Sequence, residues 1–108
     1  MKYDVVVLGA GAAGLMAAII AATRHRSVLV IERSNKVGKK ILMSGGGRCN
    51  FTNTDLEFDN FLSKNKHFCK SALSRYTAWD FIDLVKRHRI DFEERKHNQL
   101  FCVHSAKD

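Results

Sequence analysis

Gly9, Gly11 and Gly14 stand at the spacing Gly-x-Gly-x-x-Gly, between a β-branched segment and an alanine-rich one. Each has a mechanical use in holding a pyrophosphate. Gly9 lets the chain turn sharply out of a strand, and Gly11 lets an anion approach backbone that carries no Cβ. Gly14 lets a helix lie close to the strand before it. Ala12 and Ala13 open that helix, whose free N–H groups and positive dipole end are suited to phosphates. Glu32 closes a second apolar run, near the ~20-residue distance expected of the acid that bonds adenosine ribose hydroxyls. A carboxylate there repels a 2′-phosphate, which speaks against NADP and leaves NAD and FAD open. The competing reading of Glu32 is a solvated residue at a strand end.

The second chemically informative stretch is Ser44-Gly45-Gly46-Gly47-Arg48-Cys49-Asn50. Three consecutive glycines permit backbone N–H groups to converge on an anion or to lie flat against a planar ring. Arg33, Lys36, Lys39, Lys40 and Arg48 form a cationic patch with no acid between them. Asn50, Thr52, Asn53 and Thr54 can fix the loop through side-chain-to-backbone turns. A flexible linker is the bland alternative. It is disfavoured by Ile41-Leu42-Met43 before the glycines and by Cys49 and Phe51 after them. Cys49 is the one nucleophile of the loop; without a CxxC partner it reads as a packing residue rather than a redox centre. No residue stands out as a general acid or base, so catalytic residues stay unassigned.

These residues need a frame. Tyr3–Leu8 and Ser27–Ile31 read as buried parallel strands, and Ala12–Thr23 as a helix apolar on every side. Val5 to Ala22 carries no charge, which raises a membrane helix or a signal peptide; its Ala and Gly content and its division into strand and helix set both aside. Farther on, Ser63–Tyr76 shows Phe68, Ala72, Leu73 and Tyr76 at helical spacing. Thr77-Ala78-Trp79-Asp80 resembles a capping box and opens a helix to about Arg89, with Phe81, Ile82 and Val85 as core. Asp91–Arg95 and Leu100–His104 read as a short β-hairpin.

Eighteen Lys and Arg against eleven Asp and Glu give a net charge of +7, which asks for an anionic partner. The excess is spread over both halves, and its one dense patch suits a compact anion better than a long polyanion. Lys86-Arg87-His88-Arg89 is more simply a solvated helix end than a nucleic-acid patch. The expectation is therefore no nucleic acid and no membrane among the partners. The three cysteines are odd in number and, like the scattered histidines, lack ligand spacing, so no metal is assigned and a reduced, cytoplasmic setting is expected.

Gly9-Ala10-Gly11-Ala12-Ala13-Gly14-Leu15-Met16-Ala17-Ala18, followed by Gly38-Lys39-Lys40-Ile41-Leu42-Met43-Ser44-Gly45-Gly46-Gly47-Arg48-Cys49-Asn50-Phe51-Thr52-Asn53, resembles the start of the BaiN/YhiN-type flavoproteins. These are bacterial NAD(P)/FAD-dependent oxidoreductases, also described as aminoacetone-oxidase-like. The resemblance continues through Phe68–Tyr76 to Ser105-Ala106-Lys107-Asp108. It implies that Gly9, Gly11, Gly14 and Glu32 hold the ADP half of FAD. It also implies that Arg33, Lys40 and the Ser44–Asn50 loop line the pyrophosphate and flavin side. Where that family usually has Phe-Pro, this chain has Phe101-Cys102, which leaves the local turn open.

The expected fold is α/β, a Rossmann-like FAD-binding βαβ unit followed by helices and a short β-hairpin. Residues 1–108 then form the N-terminal part of an FAD/NAD(P)-binding domain, with 1–54 as dinucleotide unit and glycine-rich loop and 55–108 as helical segment and hairpin. Two parallel strands are fewer than such a sheet needs. The chain therefore reads as an incomplete N-terminal piece of a larger flavoprotein, inactive alone, whose partners are FAD, the downstream polypeptide and an unidentified small-molecule substrate. The expected function is the FAD-binding segment of a flavin oxidoreductase linked to NAD(P)H. Two alternatives stand beside it: a non-catalytic remnant or interaction fragment, and a small basic nucleic-acid-binding domain supported by charge alone.

Overall fold

The computed structural model describes residues 1–108, which fold as two compact units, Met1–Ser44 and Gly45–Asp108. The first contains β1 (Val5–Leu8), α1 (Ala12–Thr23), β2 (Val28–Ile31) and α2 (Lys39–Met43). β1 and β2 pair in parallel, from Val5 opposite Val28 to Leu8 opposite Ile31. Both strands start later than their apolar sequences suggest, because Asp4 and Ser27 are used otherwise. The Ser27 N–H donates to the Asp4 carboxylate and the Asp4 N–H to the Ser27 hydroxyl, each at 2.9 Å, clamping the entry to the ladder.

α1 has the predicted bounds and packs on both strands. Val5 and Val7 are half-buried, whereas Val6 and Leu8, on the opposite face of β1, are 51% and 81% exposed. Ile19 and Ile20 on α1 are exposed as well. The all-round burial expected of the helix and of both sheet faces is thus met on one side only. Gly38, in a left-handed conformation with φ of 66°, precedes the short turn of helix α2, an element with no clear signal in the sequence.

The second unit contains β3 (Asn50–Asn53), α3 (Lys70–Arg75), α4 (Ala78–Arg87), β4 (Phe92–Arg95) and β5 (Gln99–Cys102). The predicted hairpin is present as β4 and β5, joined by a 3-10 turn at Lys96–Asn98. β5 ends two residues earlier than expected. Its far side pairs antiparallel with β3, giving the order β3-β5-β4, so Asn50–Asn53 is strand rather than loop. The turn left open at Phe101-Cys102 is a strand end. The Cys102 N–H donates to the Arg48 carbonyl at 2.8 Å, a bond that proline lacks the hydrogen to make.

α4 contacts β3 through aromatic side chains. Phe51 stacks on Phe81 at 5.8 Å and meets the edge of Phe92 at 5.7 Å, while Tyr76 meets Phe81 edge-on at 6.3 Å. Ile82, Val85 and Leu100 are the buried apolar residues of this unit, consistent with the core role read for Ile82 and Val85. The helix predicted over Ser63–Tyr76 is confined to α3. Ser63 Oγ accepts the Asn65 N–H at 3.3 Å and Asn65 Oδ1 accepts the His67 N–H at 3.0 Å, so these side chains capture backbone donors a helix would use.

The predicted capping box on α4 is formed. Thr77 Oγ1 accepts the Asp80 N–H at 3.2 Å, and the Asp80 carboxylate accepts the Thr77 N–H at 2.8 Å. That backbone bond, with one from the Thr77 hydroxyl, lowers the Asp80 carboxyl below its ordinary value. The helix ends at Arg87, where Arg89 turns to a φ of 56°. Thr77→Ala should lower unfolding stability by about 1 kcal/mol in urea titration, the usual worth of such a cap. An unchanged midpoint would show that the box contributes nothing.

Candidate functional site

The glycine turn between β1 and α1 is held from below by Glu32. Gly9, at a φ of 102°, donates its N–H to the Ile31 carbonyl at 2.7 Å, which carries the chain over the end of β2. Ala10, almost fully buried, then donates to Glu32 Oε1 at 2.8 Å. The Ser34 N–H donates to Glu32 Oε2 at 2.7 Å. The Ala10 carbonyl in turn accepts the Gly38 N–H at 2.8 Å, which brings the start of α2 to the same turn. The Ser34 backbone bond is the main cause that holds the Glu32 carboxyl below its ordinary value, followed by the Ala10 bond and the Ser34 hydroxyl.

Around this carboxylate lies an open cleft of about 380 Å³, lined by Gly11, Ala12, Glu32, Lys36 and the α2 lysines Lys39 and Lys40. A Cβ on Gly11 would meet nothing within 4 Å, so space stands open beside the turn. α1 begins without a side-chain cap and without an acid in its first turn. The donor set is therefore backbone N–H groups, lysine ammoniums and one carboxylate. That combination fits a phosphate-linked ribose: cationic and N–H donors for the phosphates, an acceptor for sugar hydroxyls. Larger hollows of about 580 and 540 Å³ lie in the second unit. One is lined by mixed charges on α3 and α4 and the other by apolar side chains, and neither has a glycine turn.

Of the residues picked from sequence, Gly11, Ala12, Glu32 and Lys40 line the cleft. Gly9 and Gly14 act behind it: a Cβ on Gly14 would collide with the Gly9 carbonyl, so only glycine lets α1 start this close to β1. Ala13 lies one residue inside α1 and, like Arg33, is exposed and outside the lining. Ser44 donates its hydroxyl to the Ile41 carbonyl at 2.7 Å, closing α2. Ala10, Ser34, Lys36, Lys39 and Ile41 are lining residues the motif reading did not assign. Lys36 and Lys39 were visible in the basic patch; the parts of Ala10 and Ser34 are backbone N–H groups, which carry no side-chain signal.

Gly45, Gly46, Gly47, Arg48, Cys49 and Asn50 belong to the second unit. The three glycines have φ of 57°, 64° and 88°, and Cys49 follows at 52°. At Gly45 a Cβ would stand 2.5 Å from the Asn50 nitrogen and 2.9 Å from the Phe101 ring, so a side chain is excluded. The turn is tied down by bonds from Arg48 N–H to the Gly45 carbonyl and from Ala106 N–H to the Gly47 carbonyl, at 3.2 and 2.7 Å. Arg48 donates a guanidinium N–H to the Val103 carbonyl at 2.8 Å. The loop is a folded turn rather than a linker.

A glycine turn leaving a parallel strand, a helix starting above it and an acid at the end of the next strand define a dinucleotide-binding βαβ unit. Over residues 3–108 the sequence matches the family described as the HI0933-like protein Rossmann domain, and the chain belongs to that family. It is 54% identical over 106 residues to a protein named ribosomal RNA dihydrouridine synthase of Escherichia coli, and 51% identical over 102 residues to one so named of Haemophilus influenzae. These matches cover 98% and 94% of this chain but 26% and 25% of those proteins, so the chain spans about a quarter of their length. A 3-dehydro-bile acid delta(4,6)-reductase of Clostridium scindens is 35% identical over 72 residues, 65% of this chain and 18% of that protein.

Gly14 and Gly11 make opposite demands on a methyl group. Gly14→Ala should unfold or strongly destabilise the first unit, because backbone must move to admit the Cβ, whereas Gly11→Ala should leave thermal unfolding unchanged. Equal melting curves for the two variants would refute this account of the turn.

Proposed function

We propose that this chain is the FAD-binding N-terminal segment of a flavin-dependent oxidoreductase, with Met1–Ser44 and Gly45–Asp108 as its two parts. The observation that carries the reading is the Glu32 carboxylate, held ionised by two backbone N–H groups at the rim of a cleft that also holds a bare helix start and lysines. A carboxylate accepts roughly four hydrogen bonds. Two are used within the protein, which leaves acceptors for the two ribose hydroxyls of the ADP half. Gly11, Ala12 and Ala13 offer N–H groups to the pyrophosphate, with Lys40 as counter-charge. Gly9 and Gly14 keep the backbone in place. Arg33, Ser44, Gly45, Gly46, Gly47, Arg48, Cys49 and Asn50 are assigned to the flavin side, a role supported by the resemblance of that motif. The flavin, when bound, supplies hydride transfer; the protein supplies position and charge.

NAD(P)H is the proposed electron donor. For the substrate, the two relatives named ribosomal RNA dihydrouridine synthases support a uridine of ribosomal RNA, reduced by the whole protein. This replaces the small-molecule substrate expected from sequence and brings back the nucleic acid set aside there. The purified full-length protein should show flavin absorption bands and release FAD on heating. Cells lacking it should lose dihydrouridine from ribosomal RNA. Release of a nicotinamide dinucleotide alone would overturn the cofactor assignment, and unaltered ribosomal RNA would overturn the substrate.

Glu32→Gln sets an amide NH₂ against one of the backbone N–H groups the carboxylate now accepts, and it removes the charge offered to the ribose. Lost charge-assisted bonds of this kind correspond to a dissociation constant for FAD raised roughly tenfold to a hundredfold in titration calorimetry. Because the folded Glu32 pKa is lowered, its contribution is complete above the unfolded carboxyl value and is lost as pH falls through the folded one. Unfolding stability of the wild type should therefore fall with acidification in that range, and the Gln variant should show a flatter profile.

Residues 1–108 expressed alone should neither keep stoichiometric FAD through gel filtration nor oxidise NAD(P)H, since Val6, Leu8 and Ile31 leave apolar strand surface open. A soluble, yellow monomer that turns over would contradict this.

A further inference from the structure

Cys49 and Cys102 are brought together by the β3–β5 pairing, although the sequence separates them by half the chain. Asn50 pairs with Phe101, so the next residues outward on the two chains are Cys49 and Cys102. The Cys102 N–H reaches the Cys49 carbonyl at 3.4 Å, so the two residues adjoin where the strands end. Cys49 stands one residue beyond the ladder, at a φ of 52°, and this backbone contact keeps it beside Cys102; residues facing one another across an antiparallel pair have Cα atoms about 4.5–5.5 Å apart, and a disulfide spans roughly 4.4–6.8 Å. Both thiols are free and half-buried, so neither is sealed from small reagents. Cys69, the third, sits with its sulfur 4.0 Å from the Phe58 carbonyl, in the groove lined by Phe61, Phe68 and Leu73.

We propose that Cys49 and Cys102 form a reversible intrachain dithiol–disulfide site that couples the Gly45–Cys49 turn to the end of β5, with a small-molecule disulfide as oxidant. The Cys49 thiolate attacks one sulfur of the oxidant, breaking its S–S bond and releasing one small thiolate. Cys102 then loses its proton and attacks the Cys49 sulfur of the mixed disulfide, expelling the second thiolate. The pair gives up two electrons and two protons, and the oxidant leaves as two thiols. Burial, with Cys49 as its neighbour, raises the Cys102 thiol above its ordinary value. The first attack therefore falls to Cys49 and the resolving step to Cys102. The bond would fix the turn that Gly45 and Cys49 already hold at positive φ.

The test is to treat the full chain with oxidised glutathione, alkylate the remaining thiols and map unreduced peptides by mass spectrometry. A peptide pair joined through Cys49 and Cys102 is expected, with Cys69 alkylated, and dithiothreitol should reverse the link. Amide exchange over Gly45–Asn50 should slow in the oxidised form. Cys69→Ala should leave the link intact. Cys102→Ala should abolish it and leave Cys49 alkylated or joined to glutathione. Alkylation of both Cys49 and Cys102 in the treated wild type, or a link through Cys69, would overturn the proposal. These readouts do not involve flavin, so they stand or fall apart from the cofactor assignment.

Discussion

The Glu32 carboxylate accepts one backbone N–H from the glycine turn and one from the segment that leads to α2, and so ties the turn to the chain that follows β2. Without that bond, burying Ala10 would take its N–H from water with nothing to replace the lost partner, a penalty of roughly 1–3 kcal/mol. With the carboxylate in place, Ala10 goes inside and its carbonyl is free to take the Gly38 N–H. The lysines of α2 thereby come to the same cleft as the start of α1. One side chain thus sets the turn, orients the following loop and leaves a charge facing the cleft.

The second constraint is the distance between α1 and β1. A helix can begin directly over the strand it follows only where no Cβ intervenes, and Gly14 meets that condition against the Gly9 carbonyl and the Val7 side chain. The close approach makes the half-burial of Val5 and Val7 possible with a helix of small residues. On the other face Val6 and Leu8 alternate outward, as the period of two requires.

Legibility followed the range of the interactions. The βαβ unit, Glu32 and the α4 capping box were readable because each is carried by residues close in sequence or at a fixed spacing. α1 was even bounded correctly, since Gly11 before it and the basic turn after it both mark ends. β3 was not readable: Asn-Phe-Thr-Asn is polar at both ends, and its partner in β5 lies far along the chain. Phe51, the residue that joins β3 to the aromatic cluster, gave a weak sign of burial. The Ser63–Tyr76 helix failed for a local reason, the Ser63 and Asn65 side chains competing for backbone donors just where apolar spacing looked helical. At the cleft, side chains such as Glu32 and Lys40 are legible in sequence and backbone donors are not, so the placement of Ala10 and Ser34 there carries no sequence signal.

The directions in which the acids and thiols are shifted bear on what this segment can do. Glu32 and Asp80 are both moved downward, each by hydrogen bonds from backbone N–H groups. Such carboxylates stay ionised and act as acceptors; they are poor proton donors at neutral pH, where a general acid needs its value raised toward the working range. The group moved upward is the Cys102 thiol, already a weak acid, and it becomes weaker still. These two environments hold their carboxylates ionised rather than raising them toward neutrality. They build fixed negative charge at a strand end and fixed N–H groups at a helix start, the two things that binding a ribose and a diphosphate requires.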